Sequence, residues 1–153
     1  MLKKLFRLTH DGADDLRKEL AQLTAERSEI AERIKTAREF GDLAENAEYQ
    51  SARADQDKNE SRIAEVEHIL HNLELIKVPK GDSKVQLGSK VKLRNDGKTK
   101  EFQVVGTVEA NPLEGKISDE SPIGKLLMGK KVSDEVEIQT PAETAIYKIT
   151  DIA

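Results

Sequence analysis

The chain has 153 residues, of which 35% are charged, 37% hydrophobic and 3% aromatic, a profile that suits long solvated helices better than a thick globular core. It contains no cysteine, its three histidines show no metal-ligand spacing, and no window approaches the roughly 20 apolar residues of a membrane span; we therefore expect a protein of the reducing cytoplasm without disulfides, zinc sites or membrane contact. The net charge of −4 argues against a surface that binds nucleic acid along its whole length, because such a surface needs clustered lysine and arginine.

The first predicted element is a long helix over residues 10–39. Thr9 is its predicted N-cap, because a threonine hydroxyl accepts a hydrogen bond from a free N–H group at a helix start. Hydrophobic residues then recur at alternating steps of four and three, which is the pattern of a coiled-coil seam. The seam consists of Leu16, Leu20, Leu23, Arg27, Ile30, Ile34 and Ala37. Arg27 interrupts it, and we interpret this residue as a register device that neutralises an acid across the seam or extends to water.

A second seam follows after a short glycine-containing segment. Its members are Tyr49, Ala52, Gln56, Asn59, Ile63, Val66, Leu70 and Leu73. The two seams match in length, so we predict an antiparallel helical hairpin whose tip is formed by residues 40–46. The half of the hairpin nearest the tip is the more polar, so burial contributes little to its stability.

The run Pro79–Ser83 is predicted to be a linker, because after it the period changes from heptads to alternation. We therefore predict two domains, residues 1–77 and 78–153. In the second, strands are predicted over 85–93 and 102–108 around the turn Asn95-Asp96-Gly97, and over 132–138 and 145–152 around Thr140-Pro141. Ser121-Pro122 is predicted to open a short helix that ends near Gly129. The fold class is thus α+β: a helical hairpin, then an antiparallel sheet with one short helix.

Two acids at the predicted tip are candidates for chemistry. Asp42 and Glu45 are three residues apart, so in even a partly helical tip their carboxylates point the same way. Such a pair of hard oxygen ligands suits a Mg²⁺ ion that keeps most of its waters and takes further ligands from a partner. The alternative is a solvated turn whose acids interact only with the helix dipole.

The chain resembles the Gre transcript cleavage factors, the GreA/GreB family, in three motifs. The most specific is Ala37–Tyr49, AREFGDLAENAEY, which is similar to the tip motif of that family. The others are the opening Leu8-Thr9-x-x-Gly12 with Leu-x-x-Glu-Leu, and Ile117–Gly124 followed by Leu-Met-Gly-Lys. The loop Ala110–Lys116 departs from the family, whose members carry an acidic segment there.

The resemblance implies a fold, a partner and a reaction. The C-terminal domain would be FKBP-like and bind bacterial RNA polymerase at the rim of its secondary channel, while the hairpin enters the channel and contacts the extruded 3′ end of the nascent RNA. The reaction would be cleavage of backtracked RNA by the polymerase itself, so the protein would stimulate a ribonuclease without being an autonomous enzyme. Asp42 and Glu45 would be the catalytic residues, sharing a second Mg²⁺ with the polymerase and orienting the attacking water, with Glu48 as a third acid. No metal would bind tightly to the free protein.

The resemblance also assigns roles to residues around the acids. Arg38 and Arg53 match the family's basic patch for extruded RNA. Alternatively, they are surface charges paired with Glu39, Asp55 or Asp57. The residues that support the tip would be Phe40, Gly41, Leu43, Asn46, Glu48 and Tyr49. Phe40 and Tyr49 could stack on an RNA base, but the expectation is that they pack against each other to close the turn.

Three other functions compete with transcript cleavage. An inhibitor of the same family would plug the channel, although such relatives have a more acidic tip than the one found here. A peptidyl-prolyl isomerase needs an aromatic pocket, but residues 78–153 contain only Phe102 and Tyr147 as aromatics. A prefoldin-like chaperone would need an apolar tip.

Overall fold

The computed structural model describes residues 4–77, 84–139 and 141–153. Two compact units divide the chain: the hairpin unit, residues 13–73, and the β unit, residues 5–12 together with 74–153. The predicted boundary between residues 77 and 78 stays a prediction. The predicted linker Pro79–Ser83 and the predicted turn residue Thr140 lie outside the described residues.

Two long helices form the hairpin, α1 (His10–Arg38) and α2 (Ala47–His71). The predicted seams are the faces that they bury against each other, with Ile30, Ile34, Ile63 and Val66 all below 9% exposed. Hydrogen bonds between the helices join Glu19 to Arg62 and Arg27 to Glu60, so a later residue of α1 pairs with an earlier residue of α2 and the helices are antiparallel. The predicted hairpin is therefore confirmed.

The remaining elements of the described residues are seven strands, a short helix and one 3₁₀ turn. They are β1 (Phe6–Leu8), β2 (Leu73–Leu75), β3 (Lys90–Asn95), β4 (Lys98–Val105), the 3₁₀ turn (Pro112–Glu114), β5 (Lys116–Ser118), α3 (Pro122–Leu127), β6 (Glu135–Gln139) and β7 (Thr144–Ile152). β1 pairs with β2, and the others form one sheet in the order β5-β4-β3-β7-β6. The predicted α+β class is confirmed.

Alternation along the strands builds the core of the β unit. On β3, Val91 and Leu93 are fully buried while Lys90, Lys92 and Arg94 are exposed. The same alternation on the other strands and on α3 completes one apolar cluster. Its buried members are Val85, Val91, Leu93, Val104, Ile117, Leu127, Val136, Ile138, Tyr147, Ile149 and Ile152.

Some predicted strand details differ from the structure. The sheet is antiparallel except that β5 pairs parallel to β4. Val85 is buried in the core as predicted, but the segment that follows it turns instead of extending, because Gly88 adopts φ +96 and Ser89 N–H donates to the Gln86 carbonyl at 3.0 Å. In this segment, the alternation of apolar residues correctly predicted that Val85 is buried but wrongly predicted a strand.

The predicted caps are confirmed at both helix starts. Thr9 Oγ1 accepts from Gly12 N at 3.1 Å, and Ser121 Oγ accepts from Gly124 N at 3.1 Å, with Pro122 at the first helical position. Thr9 is also held by Glu109, whose carboxylate accepts from the Thr9 backbone N–H at 2.7 Å and from its hydroxyl at 2.5 Å. The glutamate thereby fixes the first turn of α1 within the β unit.

Candidate functional site

The candidate site is the turn that joins the two helices. α1 ends in a tightened turn, in which Phe40 N–H and Gly41 N–H donate to the carbonyls three residues before them, at 3.2 and 3.4 Å. Gly41 then adopts φ +102, which changes the direction of the chain. That conformation costs a glycine little and other residues more. The predicted position of the tip and the role of Gly41 in the turn are therefore consistent with the structure.

Asn46 closes the turn with both ends of its side-chain amide. Its Oδ1 accepts from Tyr49 N at 3.1 Å and so caps α2, while its Nδ2 donates to the carbonyl oxygen of Ala37 at 2.7 Å. The first bond starts the second helix and the other ties it to the end of the first. Gln50 adds a bond from Nε2 to the Ala44 carbonyl at 2.7 Å.

The two predicted acids lie in the turn and are exposed to solvent. Asp42 Oδ1 accepts from Ala44 N at 3.1 Å, which orients this carboxylate and leaves its other oxygen free of protein contacts among the described residues. Within those same residues, neither Asp42 nor Glu45 has a cationic partner. Glu48, the third acid, is exposed in the first turn of α2. Apart from the bond that Asp42 accepts from Ala44 N–H, the described part of the chain gives the Asp42 and Glu45 carboxylates no stabilising contact.

The donor chemistry of the tip fits a hard divalent cation, but only as part of a larger site. Carboxylate oxygens are the ligands that Mg²⁺ prefers, and Asp42 and Glu45 supply them at a position open to solvent. Across the described parts of the chain, no three acidic, histidine or cysteine side chains are grouped to hold a metal. A cation bound at the tip would therefore draw its remaining ligands from water and from another molecule.

Two arginines lie beside the tip, one on each helix. Arg38 is held over the ring of Tyr49, 5.9 Å from its centroid, and Arg53 Nη1 donates to Gln56 Oε1 at 2.6 Å. In the part of the chain that the structure describes, neither forms an ion pair. The alternative that these arginines neutralise Glu39, Asp55 or Asp57 is therefore wrong for this structure. Asp55 pairs instead with Arg33, at 2.8 Å.

The two aromatic residues near the tip behave differently. Tyr49 is half-buried and packs on a small cluster of Ile30, Ile34 and Ala52. Phe40, expected to pack against Tyr49, instead keeps 75% of its surface exposed. Leu43 is also exposed, at 40%. The turn is closed by the amide of Asn46 and not by packing of the aromatic rings. The resemblance assigned Asn46 to the support of the tip, but it did not indicate these two hydrogen bonds.

Farther from the tip, ion pairs cross the hairpin where the seam is polar. Arg27 binds Glu60 through two hydrogen bonds of 2.7 and 2.9 Å, which confirms the prediction that it neutralises an acid across the seam. Arg62 makes a similar bidentate contact with Glu19, which the sequence pattern did not indicate. Hydrogen bonds from these arginines lower the pKa of both glutamates below the usual range. Buried Asn59 adds a bond from Nδ2 to the Leu23 carbonyl at 3.0 Å.

Comparison with known proteins gives matches along the whole chain. Residues 6–75 match the family model "Transcription elongation factor, N-terminal", and residues 79–153 match "Transcription elongation factor, GreA/GreB, C-term". Transcription elongation factor GreA of Bacillus velezensis is 45% identical over 99% of this chain and 98% of its own length. The protein of the same name from Listeria monocytogenes is 44% identical over 98% of this chain and 96% of its own. Among solved structures, the transcription factor Gfh1 is 28% identical, with 99% of both chains covered and a TM-score of 0.49.

Among the described residues, none of the helices combines the length and the apolar character that crossing a bilayer requires.

Proposed function

The chain belongs to the GreA/GreB family of transcription elongation factors, and on that premise we propose that it acts in the cytoplasm by stimulating RNA polymerase to cleave the 3′ end of backtracked nascent RNA. The observation that carries the proposal is the exposed pair Asp42 and Glu45, which has no cationic partner among the described residues, on a turn fixed by Asn46. The protein would not be an enzyme by itself. It would lend two carboxylates to a site that the polymerase provides.

The hairpin suits this task because it presents the acids at its end. We propose that it enters the secondary channel of the polymerase while the C-terminal domain binds the rim. In the channel, Asp42 and Glu45 would help to hold, with the polymerase, a second Mg²⁺, which would supply activation of water and stabilisation of charge on the phosphate. Asp42 is already oriented by Ala44 N–H, so less freedom is lost when the carboxylate binds.

The two arginines support the same proposal. Arg38 and Arg53 have no acidic partner among the described residues, so binding of an RNA phosphate would break no ion pair. Guanidinium groups form charge-assisted bonds with phosphate oxygens. Arg38 is held over Tyr49, which restricts its side chain before RNA arrives. We propose that this pair guides the extruded RNA toward the acids.

The decisive experiment uses a stalled, backtracked polymerase complex from the same host and the variant Asp42→Asn with Glu45→Gln. We expect cleavage of the RNA to fall by about 100-fold or more, since a lost metal ligand or general base has effects of this order. Binding to the polymerase and the melting temperature should not change, because both side chains are exposed. Glu32→Gln, which removes an exposed acid from the body of α1, is the matched control and should cleave normally.

Other results would favour other functions. Cleavage that survives the double substitution would refute the role assigned to the acids. A wild-type protein that slows elongation without any cleavage would indicate a channel-plugging inhibitor. In either case binding to the polymerase must first be shown to be intact.

The metal affinity of the free protein is a separate prediction. Two exposed carboxylates are a poor Mg²⁺ site when water supplies every other ligand. Calorimetric titration of the free protein with Mg²⁺ should therefore give only weak heats, identical for wild type and for the Asp42→Asn, Glu45→Gln variant. Tight binding that the variant loses would contradict the proposal of a shared site.

A further inference from the structure

Phe40 is an exposed aromatic residue that the fold of the tip does not require. With 75% of its surface accessible, its ring gains little from burial. The turn is closed without it by the two bonds of Asn46 and the bond from Gln50 to Ala44. The contacts of the turn therefore do not account for the ring, which is accessible to a partner outside the chain.

The backbone that carries the ring is hydrogen-bonded to the end of α1. Phe40 N–H donates to the Ala37 carbonyl at 3.2 Å, and the next residue, Gly41, donates to the Arg38 carbonyl at 3.4 Å. These bonds extend α1 by a final tight turn before the left-handed glycine changes the direction of the chain. The ring is therefore presented from a fixed point of the backbone, two residues before Asp42.

Residues of the hairpin near the tip have the chemistry of a nucleic acid site. Arg38 and Arg53, on the two helices that meet at the tip, have no acidic partner among the described residues, and Asp42 follows immediately after the glycine. Aromatic rings placed among cations are typical of surfaces that bind single-stranded nucleic acid, where each base stacks on a ring and the cations follow the backbone. An apolar protein surface would be the other natural partner of an exposed ring, but it would gain nothing from the unpaired guanidinium groups.

We propose that Phe40 is a stacking platform for a base at the extruded 3′ end of the RNA, and that this contact positions the phosphate to be cleaved next to Asp42 and Glu45. The inference rests on the proposed function, since it needs extruded RNA at the tip. Extruded RNA is single-stranded, so its bases are free to stack on a protein ring. Phe40 is a positioning residue in this scheme, because it contacts the substrate without taking part in bond breaking.

The first test compares Phe40→Ala, Phe40→Leu and Phe40→Trp in cleavage of a backtracked complex. Stacking on one base predicts that the alanine variant slows cleavage by about 10-fold, within the range measured for loss of a stacked aromatic. The leucine variant should be equally slow, because it keeps an apolar side chain without a flat ring. The tryptophan variant should cleave at the wild-type rate. All three should melt like wild type, given the exposure of residue 40.

RNA that lacks bases in its extruded segment provides the matching change on the other partner. Wild type should lose about 10-fold on abasic RNA, and Phe40→Ala should lose nothing further, because the same contact is already missing. If abasic RNA slowed the Phe40→Ala variant as much as it slows wild type, the two changes would act independently and the proposal would be overturned. The proposal would also be overturned by a fully active leucine variant, which would indicate an apolar contact with the polymerase, or by an unchanged alanine variant.

A second readout separates failure of this inference from failure of the proposed function. In the Asp42→Asn background, RNA carrying 4-thiouridine at its 3′ end should photo-crosslink to the tip. Phe40→Ala should lower the yield and Phe40→Trp should restore it. A wild-type protein that never stimulates cleavage, combined with crosslinking that depends on an aromatic residue, would refute the function and leave the stacking in place. Crosslinking that is insensitive to residue 40 would refute the stacking alone.

Discussion

The tip of the hairpin and the core of the β unit are stabilised in opposite ways. In the core, Leu93, Leu127 and Ile149 have no exposed surface at all, so their apolar atoms are fully removed from water. In the tip, Asp42 and Phe40 are exposed, and the turn depends on a few hydrogen bonds to its backbone. The core of the β unit therefore contributes most of the stability and has no proposed part in the chemistry. The residues with a proposed part in the chemistry lie at the tip, where substitution of an exposed side chain should cost little stability.

The largest effect on stability should come from the core. Leu93→Ala removes a fully buried side chain from the centre of the sheet, which costs about 2–5 kcal/mol of unfolding free energy through lost burial and the cavity left behind. Denaturant unfolding followed by circular dichroism measures this. Lys92→Ala, an exposed neighbour on the same strand, should change the free energy by less than about 0.5 kcal/mol.

The comparison would fail if Leu93→Ala changed transcript cleavage per folded molecule as strongly as the tip variants do. We expect that activity, measured at a temperature where the variant remains folded, to equal that of wild type. Equal stability of Leu93→Ala and Lys92→Ala would contradict the burial argument directly.

The next largest effect should arise at Asn46, whose side chain bonds to both ends of the turn. Asn46→Ala removes the cap of α2 and the bond to the Ala37 carbonyl, and it should destabilise the hairpin by about 1–3 kcal/mol. Asn46→Asp is the matched control, because its carboxylate still accepts from Tyr49 N–H but cannot donate to Ala37. Its loss relative to wild type should be smaller and measures the bond between the two helices, whereas the difference between the two variants measures the cap. Hydrogen exchange of the first α2 amides would follow the effect locally.

The sequence predicted the helices better than the sheet. Two seams with a heptad period mark both long helices, because burial against one partner imposes that period over many turns. The strands β1, β2 and β5 have three residues each, too few to show an alternation, and they were not predicted. The strand predicted from Val85 onward was wrong for a related reason, since Val85 is buried but the chain turns directly after it.

For the candidate site, the sequence predicted the composition of the tip but not its contacts. The acids, the glycine and the asparagine lie in the turn as the motif indicated, yet the bond from Asn46 to Ala37 joins residues on different helices and depends on their distance in space. The exposure of Phe40 was missed for the same reason. The sequence places Phe40 and Tyr49 on either side of the turn, but it does not indicate that Tyr49 packs against Ile30 and Ile34 while Phe40 stays exposed.

A third prediction concerns Gly12. Substitution of this residue separates the cost of a collision with Glu109 from the difference in helix propensity between glycine and alanine. A β-carbon at this position would collide with the carboxyl group of Glu109, which is held by Thr9. Gly12→Ala should therefore cost about 1–2 kcal/mol, mainly through the loss of the bonds from Thr9 to Glu109. In a Glu109→Ala background the collision is gone, and the same substitution should stabilise by up to about 1 kcal/mol, because alanine is the better helix former. A Gly12→Ala effect of the same sign in both backgrounds would refute the role of Glu109.

The smallest effect is the pH dependence of the hairpin. The hydrogen bonds from Arg62 hold the pKa of Glu19 below its usual range, so the folded chain binds fewer protons there than the unfolded chain as the pH approaches the ordinary glutamate value. The stabilisation from this pair is therefore present above the unfolded pKa of about 4.5 and is lost as the pH falls through the lower folded value. Both side chains are more than a third exposed, at 36% and 37%, so the contribution should stay below about 1 kcal/mol.

Thermal melting of Glu19→Gln against wild type between pH 7 and pH 3 tests that sign. The variant should be the less stable at pH 7, and the difference should shrink as the pH falls, because protonation removes from wild type the same charge that the substitution removed. Glu29→Gln, an exposed acid of α1 without an arginine partner among the described residues, should show no comparable convergence. High salt should reduce the difference at pH 7, since exposed ion pairs are screened. A difference that grew toward low pH would mean that Glu19 is stabilised in its protonated form, and the bidentate contact with Arg62 would then not exist in solution.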